Sequence, residues 1–225
     1  MDLPDVAPDQ GVTRWRFAHG LIVSCQAEPG DPFDTPLSIS LFARAAELGG
    51  AAGIRACGAA NIRAIRRLVS LPVIGLTKSA YPDGFVLITA DFADVEGLAA
   101  AGAALVAVDA TLRRRPSGLT GPEFVAQVRN RFGIPVVADV STVEEGVAAS
   151  AAGADLVATT LAGFTPQTKG ATAAAPAFSL LEALVARLPV PVILEGSVWT
   201  PDQARRGSSW ARTRWSWARP SRGRV

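Results

Sequence analysis

The sequence predicts a (β/α)8 barrel, a closed ring of parallel strands surrounded by helices. Short apolar runs rich in Val and Ile alternate with longer segments rich in Ala, Leu and Glu, which is the β-then-α order of parallel sheets. The 225-residue length and the 49% hydrophobic content suit one large domain with a sizeable core. Seven apolar runs end on polar or ionisable residues, where barrels of this class carry their active sites.

Seven strands are expected, and each ends at the mouth of the barrel. The predicted strands are 21–27, 53–56, 72–78, 105–109, 134–139, 155–160 and 191–195. Their polar endings are Ser24-Cys25-Gln26, Arg55, Lys78, Asp109, Asp139, Thr159-Thr160 and Glu195. The run 86–89 is a candidate for a small extra strand. Because parallel strands share one C-terminal edge, the seven endings are expected to meet in one pocket.

The helices between these strands begin and end at capping residues. The predicted helices are 37–48, 61–68, 91–101, 121–131, 142–153, 178–188 and one that starts at Thr200. Gly49-Gly50 is a usual helix stop, and Asp91 and Thr200 are suited to accept the first free amide protons. The loop 162–176, rich in Gly, Thr, Pro and Ala, has the composition of a flexible lid.

Composition argues against several classes of protein. No apolar stretch approaches the roughly 20 residues of a membrane span, and the charged segment 1–20 does not resemble a secretory signal. Cys25 and Cys57 have no metal or redox spacing and indicate buried thiols in a reducing cytoplasm. The single His19 precedes the first strand, which disfavours a Ser-His-Asp triad and excludes a multi-histidine metal site. No glycine-rich nucleotide motif is present, which disfavours binding of a dinucleotide or a nucleoside triphosphate.

The net charge of +2 hides two regions of opposite sign. Residues 1–204 hold 15 Lys and Arg against 20 Asp and Glu, and residues 205–225 hold seven Arg and no acid. We therefore divide the chain into a barrel domain, 1–204, and an aberrant Arg- and Trp-rich tail, 205–225. Asp109 is followed by Arg113-Arg114-Arg115, which is interpreted as a solvated basic turn rather than a nucleic-acid site, since the barrel domain is acidic.

Lys78 is the first candidate for chemistry. The chain has only two lysines, Lys78 and Lys169, against twenty arginines, so charge alone is usually supplied by arginine. Lys78 ends a predicted buried strand, where burial lowers the pKa of an ammonium group toward neutrality. Such an amine can act as a general base or form a Schiff base. The alternative is a lysine whose head group merely reaches the solvated rim.

Four further strand endings are candidates for binding or catalysis. Glu195 and Asp139 each follow an apolar run, and a carboxylate there needs a partner or a catalytic role. Arg55 is suited to clamp an anion or a carboxylate, and a structural ion pair among these three residues is the alternative. Gln26 is suited either to form a hydrogen bond with a sugar hydroxyl or to form hydrogen bonds with nearby backbone groups.

Seven segments resemble the N-acetylmannosamine-6-phosphate 2-epimerases. They are Leu-Ile-Val-Ser-Cys-Gln-Ala (21–27), Ala-Ala-Gly-Ile-Arg-Ala (51–56), Pro-Val-Ile-Gly-Leu-Thr-Lys (72–78), Val-Asp-Ala-Thr (108–111), Ala-Asp-Val-Ser-Thr-Val-Glu-Glu-Gly (138–146), Ala-Thr-Thr-Leu-Ala-Gly-Phe-Thr-Pro (158–166) and Glu-Gly-Ser-Val-Trp-Thr-Pro (195–201). They follow one another in the family's order and spacing over residues 20–204.

This resemblance implies a (β/α)8 barrel without a required cofactor. It also implies interconversion of N-acetylmannosamine 6-phosphate and N-acetylglucosamine 6-phosphate in sialic-acid and amino-sugar catabolism. By motif match, Lys78 corresponds to the family's catalytic lysine and Glu195 to its second catalytic carboxylate. The expected partner is a small-molecule sugar phosphate in the cytoplasm, with no nucleic acid and no membrane; a homodimer is an open alternative.

The resemblance also implies the residues that bind the substrate. Gln26, Arg55 and Asp139 match positions that hold the sugar. Gly196 and Ser197 follow the seventh strand, where phosphate-binding barrels usually hold the phosphate. Two other functions stay open: a different phosphate-binding barrel enzyme, such as a Schiff-base aldolase or isomerase, and a non-catalytic pseudogene product.

The tail departs from the family pattern. Family members continue with a strand resembling Ala-Val-Val-Val-Gly-Thr-Ala-Ile-Thr, whereas 205–219 has neither helical nor alternating periodicity and holds three of the five Trp. We therefore expect the last strand to be missing or disrupted, the first and seventh strands to be open edges and the activity to be impaired. With GC-rich codons, a shifted frame over 207–222 reads Leu-Glu-Leu-Gly-Ala-His-Ala-Val-Val-Val-Gly-Thr-Ala-Ile-Thr. This favours a reading-frame shift near 204–207, while an Arg- and Trp-rich patch that binds nucleic acid or a membrane is the alternative.

Overall fold

Strands and helices alternate along the chain, as predicted. The computed structural model describes residues 20–170, 175–208 and 213–217, so His19 lies outside the described residues. In chain order the elements are β1 (Leu21–Cys25), α1 (Pro36–Leu48), β2 (Gly53–Cys57), α2 (Ala59–Leu68), β3 (Val73–Leu76), β4 (Lys78–Ala80), β5 (Val86–Ile88), α3 (Phe92–Ala100), β6 (Leu105–Asp109), α4 (Gly121–Phe132), β7 (Val136–Asp139), α5 (Val143–Ala151), β8 (Leu156–Ala158), α6 (Phe178–Arg187), β9 (Val192–Leu194), α7 (Pro201–Ser208) and β10 (Thr213–Trp217).

Eight of these strands close into a parallel barrel. Their order around the ring is β1-β10-β9-β8-β7-β6-β3-β2, and every neighbouring pair is parallel. The predicted (β/α)8 class is therefore confirmed. The remaining strands, β4 and β5, form a separate antiparallel hairpin in which Lys78 pairs with Ile88.

The last position in the ring is filled by the tail, which corrects the expectation that this strand is missing. The backbone of β10 pairs with β9 through Thr213 and Val192 and with β1 through Trp215 and Leu21. Parallel pairing uses backbone N–H and C=O groups, which any sequence without proline supplies, and Thr and Trp favour strands. β1 and β9 are consequently not open edges. The disruption lies in the sequence of the strand, Thr-Arg-Trp-Ser-Trp, rather than in its pairing.

Two apolar layers hold the barrel together. The layer between the strands and the surrounding helices includes Val106, Phe124 and Leu184, and the smaller layer inside the ring includes Ile74 and Leu156. All five side chains are at most 1% exposed. A strand buried on both faces explains why the predicted strands read as nearly continuous apolar runs.

The predicted strand 72–78 is two elements rather than one. β3 ends at Leu76, and Lys78 begins β4, so the lysine is carried by the hairpin instead of by the barrel wall. The small extra strand predicted at 86–89 is confirmed as β5, which pairs with β4. The β-branched run alone could not reveal this break, because both segments have strand-like composition.

Gly121 allows α4 to begin directly against the end of β6. A Cβ at this position would lie 2.3 Å from the backbone carbonyl carbon of Ala110 and 2.5 Å from the carbonyl oxygen of Thr111. Both are backbone atoms, which cannot rotate away. Gly97 in α3 is the opposite case, because a Cβ there would meet nothing within 4 Å.

We predict that Gly121→Ala lowers the free energy of unfolding by about 2 kcal/mol or more, because the backbone must move to admit the methyl group. The control Gly97→Ala is expected to raise it by about 0.5–1 kcal/mol, since alanine loses less conformational entropy in a helix. Urea denaturation of both variants measures the difference. Equal effects would contradict the close approach at Gly121.

Candidate active site

Alternation along the strands places polar endings on the inner side of the barrel wall. In β6, Leu105 and Ala107 belong to the layer inside the ring, whereas Val106 and Val108 belong to the layer beneath the helices. Asp109 lies two residues beyond Ala107 and therefore shares the inner side. The same two-residue step from inner residues leads to Gln26, Arg55, Lys78, Asp139, Thr160 and Glu195.

A buried arginine between two carboxylates forms the centre of the mouth. Nη1 and Nη2 of Arg55 donate to the two carboxylate oxygens of Asp139 at 3.2 and 2.7 Å. Nε of Arg55 lies 3.0 Å from Oε1 of Glu195. The hydroxyl of Thr160 donates to Asp139 at 2.7 Å and lies 3.3 Å from Oε2 of Glu195. Three strands of the ring, β2, β7 and β9, are thus joined at their ends by one charged group.

Burial controls the protonation of this cluster. It raises the pKa of Glu195 to about 7, with Arg55 opposing the shift and Asp139 adding to it. Burial also raises the pKa of Asp139, against the lowering effect of Arg55. For Arg55 itself burial acts to lower the pKa, but the two carboxylates outweigh it and raise the pKa. The arginine therefore stays charged, and Glu195 can both give and accept a proton near neutral pH.

Lys78 faces this cluster from the base of the hairpin. The residue retains exposure to solvent, which corrects the expectation of a buried strand end. The walls of the mouth nevertheless remove water from its ammonium group, and this desolvation lowers the pKa of Lys78. Arg55 adds to the lowering, whereas Cys57 and Glu195 act in the opposite direction. The lysine and Glu195 are therefore close enough to influence one another across the mouth.

The other predicted binding residues lie at the ends of β1 and β9. Gln26 donates to the Ser24 hydroxyl at 2.7 Å, and its amide oxygen is buried without a hydrogen bond within the described chain. Gly196 and Ser197 have φ angles of 95° and 55°. A left-handed backbone is costly for serine, so this turn after Glu195 is a strained feature of the mouth.

Sequence reasoning missed several residues of the mouth. Thr160 was recognised only as a strand ending, yet it bridges both carboxylates. Cys57 is half-buried beside Lys78 rather than buried, because it is the last residue of β2; Cys25 is buried, and burial raises its pKa to about 12. The alternation of inner and outer side chains was the signal that could have found both Thr160 and Cys57.

The predicted solvated basic turn is wrong for two of its three arginines. Arg115 is 2% exposed, and the Arg113 side chain is 9% exposed. Arg113 pairs with Asp109 at 2.7 Å, whereas only Arg114 is exposed. The carboxylate of Asp109 and backbone carbonyls of neighbouring segments accept hydrogen bonds from both buried guanidinium groups, although Nη1 of Arg113 and Nε of Arg115 have no acceptor within the described chain. The sequence alone did not place those acceptors nearby.

The described residues contain neither a metal-binding cluster nor a helix suited to crossing a membrane. No group of three or more His, Cys, Asp or Glu side chains is placed to hold a metal ion within 20–170, 175–208 and 213–217. None of the helices in these segments combines the length and the apolar character that crossing a membrane requires.

A closed barrel with a lysine, an arginine and two carboxylates at its mouth defines a (β/α)8-barrel enzyme. A family model described as "Putative N-acetylmannosamine-6-phosphate epimerase" matches residues 39–211. The chain therefore belongs to the N-acetylmannosamine-6-phosphate epimerase family.

Individual relatives agree with this assignment. Proteins named as N-acetylmannosamine-6-phosphate 2-epimerases from Caldanaerobacter subterraneus subsp. tengcongensis and Synechococcus elongatus are each 44% identical to the chain; both alignments span 84% of it and 79% and 82% of the relatives. The N-acetylmannosamine-6-phosphate 2-epimerase structure from Clostridium perfringens has a TM-score of 0.83 and 34% identity, over 94% of this chain and 92% of that one. Thiamine phosphate pyrophosphorylase from Pyrococcus furiosus, with a TM-score of 0.57 and 16% identity, shares the fold alone.

We predict that Arg55→Met lowers the free energy of unfolding by about 3–5 kcal/mol at neutral pH, because Asp139 and Glu195 lose their buried counter-charge. The loss should shrink as the pH falls, since protonation neutralises the carboxyls. Urea denaturation at two pH values measures both effects. The control Arg44→Met removes an exposed ion pair with Glu47 and should change little. An Arg55→Met protein as stable as the parent would contradict a structural role for this cluster.

The raised pKa of Glu195 also predicts a pH dependence of stability. Between its ordinary pKa of 4.5 and the folded value of about 7, the unfolded chain has lost this proton while the folded protein keeps it. The Glu195 contribution therefore decreases stability as the pH rises through that window. Glu195→Gln should flatten this part of the profile, and the exposed Glu182→Gln is the matched control. Thermal unfolding from pH 4.5 to 8 measures the pH dependence of stability. The same pH profile in Glu195→Gln as in the parent would contradict the raised pKa of Glu195.

Proposed function

We propose that this protein interconverts N-acetylmannosamine 6-phosphate and N-acetylglucosamine 6-phosphate by removing and returning the proton at C2. The observation that carries the proposal is the pairing of Lys78, whose pKa is lowered, with the buried Arg55–Glu195 charge system at the mouth of a barrel of this family. A basic amine and a carboxyl that titrates near pH 7 are the groups that proton transfer at neutral pH requires.

Lys78 is the proposed proton carrier. Opening the sugar ring gives an aldehyde at C1, which acidifies the hydrogen on C2. A neutral amine can take this proton, and its return to the opposite face of C2 gives the epimer. The lowered pKa of Lys78 increases the fraction of neutral amine available for the first step.

Arg55 and Glu195 are proposed to manage the accompanying charge. Removal of the C2 proton places negative charge on the C1 oxygen, and a fixed guanidinium group stabilises such an enolate. Glu195, with a pKa of about 7, is suited to exchange a proton with the ring oxygen or hydroxyl during ring opening. Asp139 holds Arg55 in place through both of its carboxylate oxygens.

Substrate binding is proposed to involve the ends of β1, β7 and β9. The buried amide oxygen of Gln26 is available to accept from a sugar hydroxyl or the acetamido N–H. Asp139 would orient a hydroxyl on the opposite side. The turn at Gly196 and Ser197 follows β9, where barrels of this type bind phosphate with backbone N–H groups.

The proposed setting is the cytoplasm, with a small-molecule sugar phosphate as the partner. The excess of acidic groups in residues 1–204 supports this over a nucleic-acid partner. The other loop that usually holds phosphate follows the eighth strand. Because Thr-Arg-Trp-Ser-Trp of β10 replaces the family's Val-rich run, we propose that this chain turns over more slowly than a version carrying the family-like strand.

We predict that Lys78→Met lowers kcat by roughly 100- to 10,000-fold, because no second lysine among the described residues of the mouth replaces the proton carrier. The assay follows N-acetylmannosamine 6-phosphate by NMR in deuterium oxide, where the product should carry deuterium at C2. Lys169→Met changes the only other lysine and is the matched control, with turnover close to that of the parent.

Running the same assay on the chain with the family-like last strand separates three outcomes. Turnover with deuterium at C2 supports the epimerase. Inactivation by borohydride with substrate attached to Lys78 supports a Schiff-base aldolase or isomerase instead. Absence of turnover in both chains would overturn the proposed function and leave a non-catalytic protein.

A further inference from the structure

The lysine at the centre of the proposed mechanism is carried by an element outside the barrel wall. In the described structure β4 pairs only with β5, and the three residues Lys78–Ala80 are exposed. The position of the Lys78 amine over the mouth therefore depends on whatever fixes this hairpin to the ring. Two groups of contacts do so, one at the base of the hairpin and one along its side.

Thr89 anchors the base of the hairpin. Its N–H donates to the carbonyl of Thr77, and its hydroxyl accepts from the Thr77 N–H at 3.2 Å and donates to the Ala107 carbonyl on β6 at 2.7 Å. The buried Thr89 has a φ of 50°, an unfavourable backbone conformation for a β-branched residue. The residue before Lys78 is thereby tied to the barrel wall.

Arg115 secures the same base from the loop after β6. Its Nη1 donates to the carbonyls of Thr89 and Ala90 at 2.7 and 3.1 Å, and its Nη2 donates to the carbonyl of Asp109. The guanidinium group also lies over the ring of Phe124, 3.9 Å from its centroid. A single buried side chain thus joins the end of the hairpin to the end of β6.

Arg113 holds the side of the hairpin. Its Nη2 donates to the carbonyl of Val86 on β5 at 3.2 Å and to the carboxylate of Asp109 at 2.7 Å. Its guanidinium group lies over the ring of Tyr81, 4.2 Å from the centroid, and the Tyr81 hydroxyl donates to Asp109 at 3.3 Å. The Thr111 hydroxyl accepts from Nε of Arg113 at 3.1 Å. Both arms of the hairpin are therefore fixed to β6 through one arginine.

Arg113 also balances a charge next to the active site. Asp109 and Asp139 are partners in the register of β6 and β7, and Asp109 acts to raise the pKa of Asp139. Arg113 forms the salt bridge with Asp109, whereas Arg55 forms salt bridges with Asp139 and Glu195. Loss of Arg113 would remove its contacts with the hairpin and leave Asp109 without its salt bridge, with the charge of Arg115 still acting on it.

We propose that Arg113 is a positioning residue for the reaction: with Asp109, it fixes the hairpin so that the Lys78 amine stays within reach of C2. This inference rests on the proposed function. It assigns a role to an arginine that contacts neither Lys78 nor the Arg55 cluster directly. A displacement of about 1 Å in a reacting group can cost on the order of 100-fold in rate.

The test compares Arg113→Met and Arg113→Lys with Arg114→Met. Arg114 is the adjacent arginine, exposed, with a contact to the Gly118 carbonyl at 2.7 Å, and it is the matched control. We expect Arg113→Met to lower kcat on the order of 100-fold with little change in KM, since the chemical step depends on Lys78. Arg113→Lys keeps the positive charge but lacks the forked hydrogen bonds of a guanidinium group. Its kcat should lie between that of the parent and that of Arg113→Met. Arg114→Met should match the parent.

A second readout does not require turnover. The chain has two lysines, so mass spectrometry after acetylation can measure how far the Lys78 amine has reacted at each pH. Lys169 is the internal reference. The groups that act on the Lys78 ammonium are Cys57, Arg55, Glu195 and Asp139, together with burial. If the hairpin is released, the ammonium regains water and the midpoint of Lys78 acetylation should move to higher pH in Arg113→Met.

The outcomes separate this inference from the proposed function. If neither the parent nor the chain with the family-like last strand turns over, the proposed function fails. The positioning role is still tested in that case, because an unchanged midpoint of Lys78 acetylation in Arg113→Met would overturn it. If the parent turns over, the positioning role is overturned when Arg113→Met has the same kcat as the parent. It is also overturned when Arg113→Met changes KM but not kcat. If Arg113→Met does not fold, Arg113→Lys is used instead. A kcat and a Lys78 acetylation midpoint equal to those of the parent in Arg113→Lys would overturn the positioning role.

Discussion

The mouth of the barrel depends on one guanidinium group placed between two buried carboxylates. Arg55 is 1% exposed and is held by Asp139 on one side and Glu195 on the other. Without the arginine, two buried carboxylates would face one another across the ring. Without the carboxylates, a buried cation would lack a partner. The same arrangement keeps Arg55 charged while burial raises the pKa of Glu195, so structural stability and protonation state have a common cause.

Charges of opposite sign alternate around the mouth beyond this centre. Arg113 neutralises Asp109 on β6 as Arg55 neutralises Asp139 on β7, and the two carboxylates are neighbours in the register. Lys78 faces this array from the hairpin and, unlike Arg55 and Arg113, forms no salt bridge within the described part of the chain. A cation without a fixed carboxylate partner is the one that can change protonation during a reaction.

Much of the fold and part of the site could be predicted from the sequence. Apolar runs with polar endings predicted the ring, and the two-residue step explains why Arg55, Asp139 and Glu195 meet. Contacts between distant segments could not be predicted in this way. The hairpin that carries Lys78 and the burial of Arg113 depend on acceptors supplied by other loops, and closure by β10 depends on backbone groups that every residue type except proline supplies.

The two-residue alternation also sets where the chain can change in length. Adding or removing one residue inside a strand would keep the backbone ladder but turn the next side chain toward the helices. At β7, for example, the carboxylate of Asp139 would be exchanged for an apolar neighbour while the ring stayed closed. Length variation compatible with the chemistry is therefore confined to the helix–strand connections on the far side of the barrel and to loops beyond the last inner residue.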